Sequence, residues 1–161
     1  MNILDFLRQD HNKLRKDLVN IRQNLDHPNV RGLIKRFVSD YELHESTEEE
    51  ILFQLLDRSP RDLPSGEAPE DFREEHGHIW ILLDHLIEAL DTMRFSDFQK
   101  IFFHFAAATD AHMGLEERIL FPSIEARVHP EVLEEMGKET EARFTRFSCI
   151  EEGSAGHHSH P

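Results

Sequence analysis

One stretch of this chain is written twice. His44-Glu45-Ser46-Thr47-Glu48-Glu49-Glu50-Ile51-Leu52-Phe53 returns as His112-Met113-Gly114-Leu115-Glu116-Glu117-Arg118-Ile119-Leu120-Phe121. In both copies a histidine is followed four residues later by a glutamate, and Ile-Leu-Phe closes the stretch. Residues four apart lie on one face of a helix, about a turn apart. That face also carries the apolar residues of each segment. A histidine and a carboxylate on an apolar seam are costly to bury unless something pairs with them. Here the need arises twice, and a shared metal meets it.

Apolar periodicity organises the rest of the chain into helices. The first runs from about Ile3 to Leu25 on a seam of Leu4, Leu7, His11, Leu14, Leu18, Ile21 and Leu25. Asp26-His27-Pro28-Asn29 reads as a turn. The second runs from about Val30 to Asp57 on Phe37, Tyr41, His44, Glu48, Ile51 and Leu55. The residues from Ser59 to Pro69 hold three prolines and Gly66 and predict the longest loop. The third helix, from Pro69 or Glu70 to Met93, has the seam Phe72, His76, Ile79, Leu83, Leu86, Leu90 and Met93. Ser96 is the expected N-cap of the fourth, which runs from Asp97 to about Arg127 with a kink near Pro122. Its seam is Phe98, Ile101, Phe105, Ala108, His112, Glu116 and Ile119. Pro130 to Phe147 predicts a short fifth helix with Val132, Leu133, Met136, Phe144 and Phe147 on its apolar side.

This pattern predicts an all-α chain: an antiparallel up-down-up-down four-helix bundle with a short fifth C-terminal helix. The expected bundle occupies residues 1–147. Residues 148–161 read as a disordered tail containing His157, His158 and His160.

Antiparallel packing brings residues equidistant from a turn to one height. His11 and His44 are equidistant from the His27-Pro28 turn, and His76 and His112 from Arg94. His44 and His76 flank the proline-rich loop in the same way. All four histidines therefore belong in one layer, with Glu48 and Glu116 a turn away. Alone, any one of these histidines reads as a hydrogen-bonded core residue. Six such residues in register, duplicated between the two halves, read as a dinuclear metal site: His11, His44, Glu48, His76, His112 and Glu116. Imidazoles suit iron, zinc, copper and nickel, and two carboxylates can bridge two ions. Iron is favoured because carboxylate-bridged sites in bundles typically hold iron or manganese; manganese and zinc stay open.

Other residues receive plainer readings. Glu45 and Glu49 point about 100° from their neighbours and read as solvated surface. Tyr41 reads as core with a satisfied hydroxyl. His104 is expected to be partly buried, supporting the site, and His78 and His85 to be exposed. Trp80 either narrows access to the metal layer or fills core. The single cysteine, Cys149, allows no disulfide and reads as an inert or exposed thiol. A formal net charge of -14 argues against nucleic acid or an anionic membrane as partner. With no apolar run of transmembrane length and no signal-peptide pattern, a cytoplasmic location is expected.

From about Met1 to Phe147 the sequence resembles the hemerythrin-like, or HHE cation-binding, family, most specifically in the two repeated stretches. The resemblance implies a four-helix bundle holding a non-haem, oxo- or hydroxo-bridged di-iron centre. His11, His44, His76 and His112 would be terminal ligands, and Glu48 and Glu116 would bridge. Oxygen-carrying members have a second histidine four residues after the third-helix ligand, where this chain has Trp80. They also carry His-x4-Asp on the last core helix, where this chain has His112-x3-Glu116. The four-His, two-Glu set is closer to the family's iron-repair and nitric-oxide-related members. The expected function is that of a di-iron protein binding or reacting with oxygen, nitric oxide or peroxide, served by a redox or iron-accepting protein partner. The alternatives are an iron store, donor or sensor whose occupancy controls stability or partner binding, and a structural zinc or metal-free bundle. Whether the chain turns over a substrate is left open by its residues.

Overall fold

The computed structural model describes residues 1–57, 69–92 and 94–158, with side chains described outside 56–57, 69–70 and 152–158. The proline-rich loop and Met93 lie outside the described residues. Helices account for nearly all of what is described, and no strand occurs among those residues.

Helix α1 spans Ile3–Gln23. Asn2 caps it, its side chain accepting from the Asp5 amide at 2.9 Å, which satisfies one of the free donors of the first turn. Every expected seam residue of α1 is buried, Leu25 beyond its end included. Helix α2 (Val30–Thr47) continues through a π-helical turn, Glu48–Leu52, into α3 (Phe53–Asp57). Helix α4 spans Pro69–Thr92. Helix α5 (Phe95–Leu115) likewise passes through a π turn, Glu116–Leu120, into α6 (Phe121–Arg127). The last helix, α7, spans Pro130–His158.

Three expectations need correction here. The fifth helix is not short: α7 has 29 residues and is the longest of the described elements. It runs to His158, past Phe147 where it was expected to end. Ser96 is not the N-cap of α5, which starts at Phe95 after Arg94 with no side-chain cap.

The π turns explain where the second and fourth seams depart from expectation. The Phe53 amide donates to the Glu48 carbonyl and the Phe121 amide to the Glu116 carbonyl, five residues back in each case. Each insertion adds a residue and rotates the following segment relative to a continuous α-helix. Beyond it, Leu52 and Phe53, and Leu120, Phe121 and Ile124, are fully buried, while Leu55 and Ile119 are only half-buried. Earlier in α5 the buried positions are Phe102 and Thr109 rather than Ile101 and Ala108. In α4, Ala89 is buried and Leu90 half-buried. Val132 of α7 is exposed, and Leu133 carries its apolar contact.

The core divides in two. One cluster joins Leu14 and Leu18 of α1, Phe37 and Tyr41 of α2, Ile79 and Leu83 of α4, and Phe102 and Phe105 of α5. The other joins Leu4 and Leu7, Leu52 and Phe53, Phe72, and Leu120 and Phe121, with Leu133 from α7. Along α1 and α4 the chain passes from the second cluster to the first; along α2 and α5 it passes the other way. On α1, α2 and α4 the histidines and glutamates of the proposed layer fall between the clusters, and on α5 Met113 of the first cluster sits between His112 and Glu116. Fully burying a leucine or phenylalanine contributes roughly 1.5–3 kcal/mol, so the two clusters together hold the polar layer in place.

Helix α7 packs along α1 and also contacts α2. It approaches the chain start closely at Gly137, where a Cβ would meet the Met1 carbonyl oxygen at 1.9 Å. Helix propensity alone predicts that Gly137→Ala stabilises by about 1 kcal/mol. The contact predicts the opposite, a loss of about 1–3 kcal/mol from overpacking. Urea unfolding of the variant should show a lower midpoint than the parent; a higher one would mean that α7 does not press on the start of α1.

Candidate metal centre

The layer between the two clusters contains His11, His44, Glu48, His76, His112 and Glu116, all buried. The structure brings all six together. Glu48 and Glu116 each open a π turn, so the unwound backbone lies at the point where a carboxylate enters the core. Such turns are rare and are frequent at functional sites.

Each carboxylate divides its oxygens between two histidine pairs. Glu48 Oε1 faces His44 Nε2 and lies 3.7 Å from His11 Nε2. Its Oε2 lies 3.3 Å from His76 Nε2. Glu116 Oε1 lies 3.3 Å from His11 Nε2, and its Oε2 lies 3.6 Å from His76 Nε2 and 3.5 Å from His112 Nε2. The rings pair accordingly, His11 with His44 at 4.7 Å between centroids and His76 with His112 at 4.6 Å. Two groups result, His11–His44–Glu48–Glu116 and His76–His112–Glu48–Glu116. In each, one ligand atom per residue lies within 4.8 Å of all the others, and each could hold a metal ion.

The donor atoms fit a metal better than they fit one another. The four histidine Nε2 atoms and the four carboxylate oxygens are buried, and none has a hydrogen-bond partner. A buried polar atom left without a partner costs about 1–3 kcal/mol, more when charged. Eight in one layer are hard to reconcile with a purely structural core. The charges that accumulate there act on one another. Burial lowers the pKa of His44, but the Glu48 and Asp10 carboxylates outweigh it and bring it up to about 10. Burial likewise opposes charge on His112, and Glu116 and Glu75 hold its pKa up at about 9. His11 and His76 are raised against burial by the same pair, Glu116 and Glu48. A cation would supply the positive charge that these carboxylates draw toward themselves.

A second carboxylate stands behind each histidine. His44 Nδ1 lies 2.7 Å from Asp10 Oδ2, and His76 Nδ1 lies 3.2 Å from Glu49 Oε1, both hydrogen bonds. His112 Nδ1 lies 3.3 Å from Glu75 Oε2 and His11 Nδ1 lies 3.6 Å from Glu117 Oε2, as looser ion-pair contacts. Glu117 is itself held by Arg15, whose guanidinium donates to both of its oxygens at 2.5 and 3.1 Å. A carboxylate on Nδ1 keeps the proton there and turns the Nε2 lone pair inward, which is how metal-binding histidines are commonly oriented.

These four supporting acids escaped the sequence reading, although a signal was present. Each is the chain neighbour of a site residue: Asp10 of His11, Glu75 of His76, Glu49 of Glu48 and Glu117 of Glu116. Each serves a histidine on another helix, and the two halves do so in the same way. Glu49 is thus corrected from solvated surface to a half-exposed partner of His76 and Arg73.

Glu45 needs the larger correction. It is 3% exposed, not solvated. Helix α7 lies against α2 here, with Arg143 reaching Ser46 at 2.9 Å and Glu50 at 2.5 Å, so a second face of α2 is covered. The Tyr41 hydroxyl donates to Glu45 Oε1. Burial pushes the Glu45 carboxyl up to about 7, against the lowering influence of His76 and the tyrosine hydroxyl. Tyr41 is buried as expected, and Trp80 is half-buried against its ring at 5.9 Å. His104 is exposed and away from the layer, as are His78 and His85. Cys149 is exposed. The side chains of His157 and His158, and His160 itself, lie outside the described residues. Among the described residues no helix is long and apolar enough to cross a membrane.

The sequence model of the hemerythrin HHE cation-binding domain matches this chain twice, over residues 2–95 and over 67–143. The first match begins ahead of His11 and the second ahead of His76, the leading histidines of the two halves. No curated protein and no solved structure matches the chain. The two family matches together contain every residue of the buried layer, and the chain belongs to the hemerythrin HHE cation-binding domain family.

Proposed function

We propose that this protein holds two iron ions in the buried layer and uses them to bind or react with a small ligand such as oxygen, nitric oxide or peroxide. The observation that carries this reading is the division of Glu48 and Glu116, each with one oxygen toward His11 and His44 and the other toward His76 and His112. On this reading the histidines are terminal ligands and the two glutamates bridge. The core helices take the up-down-up-down course predicted by the turn spacing, a course supported by the opposite order in which successive helices meet the two apolar clusters. Two histidines and two shared carboxylate oxygens leave each ion with positions open to an external ligand.

When bound, iron supplies redox equivalents and a Lewis-acidic position for the ligand. The chain's own residues do the remaining work. Glu48 and Glu116 hold the two positions at a fixed spacing. Asp10 and Glu49 retain the Nδ1 protons of His44 and His76 by hydrogen bonds, and the longer contacts of Glu75 and Glu117 favour the same tautomer on His112 and His11, so that the Nε2 lone pairs face inward. Phe53 and Phe121 pack directly on the layer, at 5.4 Å from the His76 ring and 5.5 Å from the His11 ring, and exclude water on that side. Tyr41 and Phe105 close the other side.

Burial favours a second reading, as an iron store, donor or sensor. The ligands come from four helices and are buried, so occupancy is coupled to packing of the whole core. At a hundredfold excess of free metal over Kd, binding would add about 2.7 kcal/mol of stability. Anaerobic loading with ferrous iron followed by air or nitric oxide separates the readings. Ligand reactivity should produce new visible absorption; stabilisation without any spectral change would leave the store or sensor.

Metal analysis of protein purified without added metal should find two irons per chain, one for each donor group; none would sink the centre itself. Glu48→Gln with Glu116→Gln should lose the metal, yet leave the metal-free protein as stable or more stable, because buried carboxylates are neutralised. A drop in metal-free stability would point to a structural role instead. Asp10→Asn should weaken metal binding about 10–100-fold through His44, with circular dichroism unchanged. Glu75→Gln should weaken it less, because its contact with His112 is longer at 3.3 Å and is not a hydrogen bond; an equal or larger loss would show that distance does not set this support.

A further inference from the structure

A groove of about 820 Å³ lies against α2, α4 and α7 and reaches inward to the layer. His76, a residue of the buried layer, lines its inner part, and Glu45 and Trp80 line it beside His76. Further out, Glu42, Glu49 and Glu50 supply carboxylates. Two arginines line it as well: Arg143 of α7, bonded to Glu50 and Ser46, and Arg73 of α4, 3.4 Å from Glu49.

Acidic residues at a surface do not make a site. Glu45 supplies the independent observation. It is almost fully buried and lines the groove, and while Tyr41 occupies its Oε1, its Oε2 has no partner. A carboxylate oxygen held without a partner in a protein interior is costly, and its position beside His76 suits the transient capture of a divalent cation. Four carboxylates against two arginines leave the lining negative, which would draw a cation toward it, while the half-buried Trp80 narrows the passage.

We infer that this groove is the route by which ferrous iron enters the buried layer, with Glu45 Oε2 handing the ion to His76 and Arg143 partly closing the mouth. Glu45 is a positioning residue on the way in, not a resident ligand. The inference rests on the dinuclear reading proposed above, and rate and final content separate the two. If the reading fails, the parent protein takes up no stoichiometric iron at equilibrium. If only the route fails, content is normal and the rates do not respond.

Trp80 is the only tryptophan and lies on the route, so its fluorescence can follow anaerobic uptake of ferrous iron by metal-free protein in a stopped-flow instrument. Glu45→Gln should slow uptake by about tenfold or more, in the range by which local charge accelerates capture, and reach the same final iron content as the parent. Arg143→Ala should speed it, because a cation and a bridging side chain leave the mouth. Asp91→Asn removes an equal charge from the Arg31 pair at the far end of α4 and should leave the rate within about twofold, since exposed charges beyond a Debye length are largely screened. Unchanged rates in both groove variants would overturn the route. Equal slowing by Asp91→Asn would reduce the effect to net charge and overturn it as well. Loss of an ion at equilibrium in Glu45→Gln would also overturn it, by making Glu45 a resident ligand.

Discussion

Eight polar atoms, four histidine nitrogens and four carboxylate oxygens, face one another in a layer closed to water, and none is hydrogen-bonded. The rest of the structure is arranged around that constraint. Such a layer cannot hold itself together, because its unpartnered groups oppose burial. It exists because two apolar clusters, one on each side, bind the same four helices. The core therefore behaves as two half-cores clamped on a polar seam whose donor set could hold a cation.

The two halves reach this arrangement by the same local device. A histidine, a turn of helix, then a glutamate at the head of a π turn occurs in both. The π turn lets the glutamate point into the layer while the following leucine and phenylalanine still reach the apolar cluster beyond. In a continuous α-helix Phe53, five residues past Glu48, would point about 140° away from it; the bond from its amide to the Glu48 carbonyl brings it back toward that face, where it is fully buried. The acid beside each site residue then serves a histidine on another helix, so ligand and support are exchanged between helices. That exchange ties the geometry of each histidine to the packing of its neighbours.

Helix α7 breaks the symmetry of the halves. It lies mainly along α1 and against α2, bonds Ser46 beside Glu45, and a groove opens between it, α2 and α4. One side of the layer is thereby made different from the other. A symmetric pair of donor groups acquires asymmetric surroundings, which a repeated sequence would not produce on its own.

The six site residues, the all-helical class and the seam of α1 could be read from the sequence, because each depends on spacing within one helix or on distance from a turn. His11 fits a three-and-four apolar series, and that series survives intact in the fold. The sequence also carried the duplication that made the histidines belong to one site. It did not place Glu45 or Glu49, the burial of Leu52 and Leu120, or the length of α7. Those depend on which elements lie against a given face, and periodicity in one helix says nothing about a second neighbour. Glu45 looks solvated until α7 is laid across α2. The acids behind the histidines look like ordinary surface charge until another helix brings an imidazole to them. Local pattern decided which residues form the layer; tertiary contact decided what stands behind them and which of their flanks are covered.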